Sequence, residues 1–365
     1  MSDSGRSSTT RIGGESPRRV VILRALRLGD LLCSVPAFRA LRSAWPEAEI
    51  VLVGLPWARS FVERFPMYLD GFREFPGFPG LPEIPPDVAR IPAFLAEIQG
   101  EKFDLAIQMH GSGSFVNPLV ALFGARRAAG FALPGDYRPD SKLFIDWPDG
   151  LEINRLLKLV ESLGAPLKGD HLEFPVRVAD RDALHAIEGV EDLTSNSYVC
   201  IHPGASVPER RWPPESFAAV ADALGGRGLR VVLTGSAAEA DLTRSVAASM
   251  THPALDLAAR TDLGALAALI DRARLMVSND TGVAHLAVAR KVPSVIVSTG
   301  DNPARWAPID SGRHRVLCDD ARGVSVLAVL DQADALLALE PRHPGPSPAV
   351  APGLGLGDAL GDLKG

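Results

Sequence analysis

Three short segments in the second half of the sequence are rich in small and hydroxylated residues, and each follows a predicted strand. They are 202–206 (His-Pro-Gly-Ala-Ser), 234–236 (Thr-Gly-Ser) and 279–282 (Asn-Asp-Thr-Gly). Two of them lead into predicted helices, whose unpaired N–H groups and positive dipole end favour an anion. The pattern predicts phosphate binding, and the residues placed to contact the anion are Gly204, Ala205, Ser206, Thr234, Thr281 and Gly282.

Two residues beside the last segment have more than one interpretation. Asp280 would repel a phosphate, so it is either the N-cap of the next helix or part of a loop that still presents neighbouring N–H groups. His285 lies one turn into that helix. It is either a packed side chain or a hydrogen-bond donor to the phosphate.

Arg210 and Glu239 flank the other two segments. Arg210 either neutralises a leaving diphosphate or belongs to a surface pair of arginines beside Trp212. Glu239 opens a helix after residues 234–236. It either accepts hydrogen bonds from a sugar hydroxyl or only interacts with the helix dipole.

Asp30 occupies the corresponding strand-to-helix junction in the first half of the chain. One interpretation is a helix N-cap. The other is a general base at the mouth of a cleft, a role that typically contributes about 10²–10⁴-fold to a reaction rate.

The elements that would position these residues form two similar series. Apolar runs at 20–23 and 50–53, joined by a helix from about 31 to 44, predict a parallel β-α-β unit. The second half repeats this pattern between 198 and 297, where the last strand is expected at 294–297. The two series predict two Rossmann-like α/β lobes whose parallel sheets face a central cleft. Ligands are expected beyond the carboxyl ends of the strands.

The predicted organisation has five parts. They are a disordered leader at 1–17, a first lobe at 18–170, a boundary linker at 171–197, a second lobe at 198–340 and a disordered tail at 341–365.

Composition limits the function. With 46% hydrophobic and 22% charged residues the chain is globular, and its net charge of −6 provides no overall attraction for nucleic acid. The polar first residues do not resemble a secretory signal, and the three cysteines are expected to be buried free thiols, so we predict a cytoplasmic protein. No cofactor or metal is expected, since the Asp-x-Asp sequence at 180–182 lies away from every strand end.

Three motifs occur in one order along the chain. Residues 28–32 (Leu-Gly-Asp-Leu-Leu) follow the first strand, 202–206 are followed by Arg211-Trp212-Pro213, and 278–285 are Ser-Asn-Asp-Thr-Gly-Val-Ala-His. Together they resemble glycosyltransferase family 9, the ADP-heptose:lipopolysaccharide heptosyltransferases and their relatives. The resemblance extends over about residues 19–337.

The resemblance implies a GT-B architecture, with the acceptor in the first lobe and the nucleotide sugar in the second. It also implies an inverting, metal-independent sugar transfer. In that scheme Asp30 is the general base, Ser206 and Arg210 contact the donor diphosphate, Glu239 lies near the nucleoside, and Asp280, Thr281, Gly282 and His285 hold the phosphates and the sugar.

Two places depart from the family pattern. The family often has lysine at the position of Arg210, and its Phe-Gly-Pro-Thr-like turn is replaced here by 298–303 (Ser-Thr-Gly-Asp-Asn-Pro). The acceptor-side loops match no motif. Arg24, Arg27 and His110 are the candidates for contact with an anionic glycolipid or glycan acceptor.

The expected function is the transfer of heptose from ADP-heptose to a lipopolysaccharide-core or related glycan, with peripheral contact to the inner membrane. Two alternatives stay open. One keeps the mechanism with another nucleotide sugar or a secondary-metabolite acceptor, and the other is a homologue that binds a nucleotide sugar without turnover.

Overall fold

The computed structural model describes residues 15–300, 302–318 and 323–341. Of the predicted leader and tail, residues 1–14 and 342–365 lie outside this part of the chain.

The first lobe contains a six-stranded parallel sheet in the order β3-β2-β1-β4-β5-β6. Its strands are β1 (Arg19–Leu23), β2 (Glu49–Gly54), β3 (Gly71–Glu74), β4 (Leu105–Gln108), β5 (Arg127–Ala132) and β6 (Phe144–Asp146). Its helices are α1 (Leu28–Ala44), α2 (Ala58–Arg64), α3 (Ile91–Gly100), α4 (Val116–Ala121) and α5 (Glu152–Ser162).

The second lobe repeats this arrangement with the order β12-β11-β10-β7-β8-β9, again all parallel. Its strands are β7 (Tyr198–His202), β8 (Arg230–Leu233), β9 (Ala254–Asp256), β10 (Leu275–Asn279), β11 (Ser294–Ser298) and β12 (His314–Cys318). Helix α6 (Val178–His185) precedes them, and the other helices are α7 (Pro214–Gly225), α8 (Ala240–Ser249), α9 (Leu263–Arg272), α10 (Gly282–Ala289), α11 (Pro303–Trp306) and α12 (Val326–Leu337).

Strand order fixes where ligands can bind. In the first sheet the chain runs outward through β1, β2 and β3 on one side and through β4, β5 and β6 on the other. In the second sheet β7 and β10 are the equivalent neighbours. The connections that leave these central pairs diverge, which is the arrangement at which parallel α/β sheets bind ligands beyond the carboxyl ends of their strands.

Several boundaries differ from the predictions. Helix α1 begins at Leu28, so Gly29 and Asp30 belong to its first turn rather than to a preceding turn. The boundary linker predicted at 171–197 contains helix α6 and contributes Phe174 and Val176 to the core. Strand β12 follows β11, so 294–297 is not the last strand.

The two lobes pack together through helices. Helix α1 of the first lobe lies against α10 of the second, while α6 packs on α9 next to this contact within the second lobe's part of the chain. Within the first lobe α1 also packs on α5, so α1 joins the first-lobe core to the second lobe.

A buried ion pair anchors α6 to α2. Arg64 Nη2 donates to Asp180 Oδ1 at 2.9 Å, and Asp180 Oδ2 accepts from the backbone N–H of Arg177 at 2.6 Å. Asp180 is therefore held by the Arg64 guanidinium and by a backbone N–H at the helix N-terminus. These contacts account for its buried carboxylate as a structural group rather than a metal ligand. Burial is the largest single influence and would raise the pKa of Asp180, but the hydrogen bonds and charges of Arg64 and Arg177 together lower it.

We expect Asp180→Asn to lower the free energy of unfolding by about 3–5 kcal/mol, because it leaves the Arg64 cation buried without its counter-charge. Chemical denaturation measures this change. Asp182→Asn, an exposed change on the same helix, is the control and should alter stability little. Since the folded-state pKa is lowered, the contribution of Asp180 is present above its unfolded value and is lost as the pH falls. Equal stability losses in the two variants would contradict this assignment.

The cysteines only partly follow the prediction. Cys33 and Cys200 are buried free thiols, and burial raises the pKa of each, so both stay protonated at neutral pH. Cys318 is exposed, contrary to the prediction. Within the described ranges, no helix is both long enough and apolar enough to span a membrane.

Candidate active site

Asp30 lies in the first turn of α1, just beyond the carboxyl end of β1. The N-cap of this helix is Arg27, so the interpretation of Asp30 as an N-cap was wrong. A negative charge in the first turn is stabilised by the helix dipole. Its side chain is 19% exposed, so the carboxylate remains accessible to a small polar group.

Arg24 was predicted to contact an acceptor, but its side chain is fully buried. Its Nε donates to the backbone oxygen of Asp30 at 3.0 Å, and its Nη1 donates to the backbone oxygen of Met109. Its Nη2 lies 3.0 Å from Glu152 Oε1 and 3.7 Å from Asp30 Oδ1. An acceptor could reach Arg24 only after these contacts broke, so the structure places Arg24 as a support for the Asp30 turn.

His110 and Arg27 lie in neighbouring loops on the same side of the first lobe. The His110 ring is buried, with Nδ1 accepting from the N–H of Ala25 at 3.2 Å and Nε2 lying 3.1 Å from Glu83 Oε1. Burial would raise the pKa of Glu83, but the contact with His110 and the charge of Arg27 lower it. His110 thus fixes two loops together, whereas Arg27 is exposed.

The segment after β7 is held in place by one amide side chain from β10. Asn279 Nδ2 donates to the backbone oxygen of Pro203 at 2.7 Å, and Asn279 Oδ1 accepts from the N–H of Trp212 at 3.0 Å. Arg211 adds two hydrogen bonds to the backbone oxygen of Ala205, at 2.9 and 2.8 Å. These bonds give the loop a fixed shape in which Gly204 and Ala205 are buried and Ser206 is exposed.

Glu239 lies beside this segment. Its Oε2 accepts from the N–H and the hydroxyl of Ser236, both at 2.8 Å, so it closes a capping box. Burial would raise the pKa of Glu239, but the charge of His202 and the Ser236 bonds lower it. A carboxylate that caps a helix can still offer its other oxygen to a hydroxyl, so both interpretations of Glu239 are compatible with this geometry.

Thr234 and His202 form the floor between these loops. His202 Nδ1 lies 3.0 Å from Thr234 Oγ1, and both side chains are buried. Burial lowers the pKa of His202, although the nearby Glu239 carboxylate opposes this shift. Thr234 is therefore occupied by a structural hydrogen bond, and it can meet a ligand only through its backbone or by exchanging that bond.

Helix α10 begins directly after the third segment. Its N-cap is Thr281, so the interpretation of Asp280 as the N-cap was wrong. Asp280 Oδ2 instead accepts from Ser298 Oγ at 3.3 Å. His285 is buried, with Nδ1 3.8 Å from Cys33 Sγ of α1 and its ring edge-on to Trp306.

The N-termini of α1 and α10 touch across the two lobes. A Cβ atom on Gly282 would lie 3.1 Å from the backbone nitrogen of Gly29, and one on Gly29 would lie 2.7 Å from Cδ2 of His285. Glycine at both positions allows this approach without displacing the neighbouring atoms. The contact brings Asp30 next to residues 280–285, although the two regions are about 250 positions apart in sequence.

Arg210 lies at the edge of this assembly. It ends the short 3-10 turn Pro208–Arg210 and is partly buried. The structure thus gathers the predicted donor-contacting residues around the carboxyl ends of β7, β8 and β10, where parallel sheets bind ligands.

Comparison with protein families decides the class. The model "Glycosyltransferase family 9 (heptosyltransferase)" matches residues 92–323, more than half of the chain. The chain belongs to glycosyltransferase family 9. It is therefore a glycosyltransferase with two lobes of the GT-B type, and the expected family and fold are confirmed.

Named relatives of this family 9 chain extend over most of its length. Lipopolysaccharide heptosyltransferase 2 of Escherichia coli is 24% identical over 359 residues, covering 88% of this chain and 99% of the relative. A family 9 glycosyltransferase structure from Veillonella parvula matches with a TM-score of 0.74 and 22% identity, covering 88% of this chain and 97% of the other. The E. coli heptosyltransferase WaaC with ADP-2-deoxy-2-fluoro heptose matches with a TM-score of 0.65 and 18% identity, covering 87% and 99%.

Two charged residues around Asp30 were missed by the sequence analysis. Glu152 begins α5 and Arg305 lies in α11, and their side chains form an ion pair at 3.0 Å. A signal existed for Glu152, because it occupies the helix face that otherwise carries the buried residues Leu156, Leu159 and Val160. No comparable signal marks Arg305.

Proposed function

We propose that this family 9 glycosyltransferase transfers heptose from ADP-heptose to a lipopolysaccharide-core or related glycan acceptor. The observation that carries the proposal is the contact between the N-termini of α1 and α10, which puts Asp30 beside residues 280–285. The names of the relatives favour a heptose donor and a lipopolysaccharide acceptor.

In the proposed mechanism the acceptor hydroxyl lies between Asp30 and the anomeric carbon of the donor. The hydroxyl proton moves to the Asp30 carboxylate as the oxygen attacks that carbon. The bond from the anomeric carbon to the diphosphate oxygen breaks, and its electron pair leaves with the diphosphate. Attack from the face opposite the leaving group inverts the anomeric configuration.

Charge builds on the departing diphosphate, and the residues present can take it without a metal. The N–H groups at the start of α10 and the guanidinium of Arg210 would stabilise this charge. Gly204, Ala205, Ser206 and Thr234 would line the phosphate and nucleoside side, with Glu239 accepting from a ribose hydroxyl. A glycolipid acceptor would be met at a membrane surface, so we propose peripheral contact with the inner membrane, and Arg27 is an exposed candidate for the acceptor's anionic groups.

A donor screen followed by a transfer assay tests this function. We expect the melting temperature to rise with ADP-heptose and less with UDP-, GDP- or dTDP-linked sugars, since a bound donor stabilises by RT ln(1 + [L]/Kd). Mass spectrometry of a lipopolysaccharide-core acceptor should then show the addition of one heptose. A large shift with a UDP sugar and none with an ADP sugar would overturn the donor choice, and donor binding without transfer or hydrolysis would favour a non-catalytic role.

Gly204→Ala tests the donor site directly. A Cβ atom at this position would lie 2.1 Å from Glu239 Oε1, so the carboxylate must move. We expect the affinity for ADP, measured by calorimetry, to fall about tenfold or more. Gly100→Ala is the control, because no atom lies within 4 Å of its added Cβ. Unchanged ADP affinity in Gly204→Ala would remove Glu239 from the donor site.

A further inference from the structure

Glu152 lies at the centre of a buried charge cluster that the proposed mechanism does not use. Its carboxylate is 2% exposed and has three arginines around it. Arg24 Nη2 lies 3.0 Å from Oε1, while Arg305 Nε and Arg155 Nη1 lie 3.0 and 3.5 Å from Oε2. One carboxylate thus contacts guanidinium groups from three separate elements.

Arg305, the arginine from the second lobe, packs against two tryptophan rings. The Arg305 guanidinium lies 4.5 Å from the ring centre of Trp306 and 5.6 Å from that of Trp147, which belongs to the first lobe. The Arg155 guanidinium also lies over the Trp147 ring, 4.8 Å from its centre. Trp306 in turn contacts the ring of His285, at the start of α10. The cluster therefore reaches from the donor side of the cleft into the first lobe.

The same cluster ends at Asp30. The buried Arg24 cation lies between two carboxylates, 3.0 Å from Glu152 and 3.7 Å from Asp30. Glu152 takes the shorter contact, and the backbone oxygens of Asp30 and Met109 hold the other guanidinium nitrogens. The Asp30 turn is therefore held by Arg24, while the Asp30 carboxylate stays 3.7 Å from the guanidinium and forms no close hydrogen bond with it.

We infer that Glu152 is a positioning residue, which joins Arg305 of the second lobe to Asp30 of the first through Arg24. The inference rests on the proposed function for its effect on sugar transfer. Without the Glu152 charge, the buried Arg24 cation has Asp30 as its remaining carboxylate, and close pairing would turn Asp30 away from an acceptor hydroxyl. Without Arg305, α11 loses its ion pair with Glu152 and its cation–π contact with Trp147 of the first lobe.

Hydrogen exchange on the substrate-free full-length chain tests the link at both ends. We expect amide exchange in residues 27–31 and 302–308 to become about tenfold faster in Glu152→Gln than in the wild type. Arg305→Met should accelerate exchange in 302–308. Glu161→Gln makes the same chemical change at an exposed position of α5, and it should leave both segments unchanged.

Kinetics distinguish positioning from a general structural role. We expect Glu152→Gln to lower kcat about 10–100-fold with the donor KM within about threefold, because donor contacts stay intact. Arg305→Met should lower kcat less, and the double variant should be no slower than Glu152→Gln, since both changes break one link. Glu152→Asp and Arg305→Lys should each recover part of the loss.

Two results would overturn the inference. One is a kcat of Glu152→Gln within about twofold of the wild type, and the other is a double variant whose losses multiply. If Glu152→Gln does not fold, Arg305→Met decides the question from the partly exposed end of the cluster. If the wild type transfers no sugar, the proposed function fails, whereas the exchange measurements still decide whether Glu152 holds both segments.

Discussion

Asp30→Asn should lower kcat for sugar transfer by about 10²–10⁴-fold while leaving the affinity for ADP unchanged. Asparagine has nearly the same shape as aspartate but cannot accept the acceptor proton. The backbone contacts of this turn, from Arg24 Nε and Ser34 Oγ to the Asp30 carbonyl oxygen, do not involve the side chain and should persist. Steady-state transfer assays and calorimetry with ADP measure the two quantities separately.

A matched change away from the cleft provides the control for this experiment. Asp331 is exposed on α12, so Asp331→Asn removes the same charge without altering the site. It should transfer sugar at the wild-type rate. If Asp30→Asn were as active as Asp331→Asn, Asp30 would not be the general base and another group would have to take the proton.

Arg210→Met should lower kcat by about 10²–10³-fold, because the leaving diphosphate would lose a cation that acts mainly in the transition state. Arg210→Lys keeps the charge but loses the fork geometry, so it should retain much of the activity. Donor KM should change less than kcat in both variants. Initial rates at varied donor concentration give both parameters.

Arg244→Met is the corresponding control, since this arginine is exposed on α8. Equal activity of Arg210→Met and Arg244→Met would return Arg210 to a surface role. If Arg210→Lys lost as much as Arg210→Met, the guanidinium shape rather than its charge would be required at this position.

Elements with strong local signals could be predicted from the sequence. Residues 263–272 have the apolar spacing typical of a helix and follow Asp262, a preferred N-cap residue. Helix α9 occupies these residues, and Asp262 Oδ1 accepts from the N–H of Ala265 at 2.7 Å. Strand β1 also follows its apolar run. In both cases the chain's own periodicity and capping chemistry decide the structure.

Elements whose stability comes from distant partners have weak local signals. Helix α6 has a polar sequence and is held by the pair between Asp180 and Arg64, which are 116 positions apart. Strands β9 and β12 are edge strands with few fully buried residues. Their local pattern resembles that of loops, so only pairing with a neighbouring strand identifies them.

The candidate site likewise has parts that the sequence could predict and parts that depend on contacts between distant residues. The strand-end rule located the loops that surround the cleft, because it depends only on strand order. It did not reveal that Arg24 faces Glu152, 128 positions away, or that Arg305 faces it from 153 positions away. Ion pairs between distant positions carry no spacing signal, so a single sequence cannot disclose them.

Because Gly29 and Gly282 have no side chains, helices α1 and α10 can approach closely, and this approach sets the distance between the two lobes. With alanine at 282, the added methyl carbon would lie 3.0 Å from Cβ of Leu28, and the neighbouring turn would have to retreat by a few tenths of an ångström. Such a substitution acts as a molecular spacer. We expect it to move Asp30, the proposed general base, away from the proposed donor site at residues 280–285, a form suited to crystallising the intact donor before it reacts.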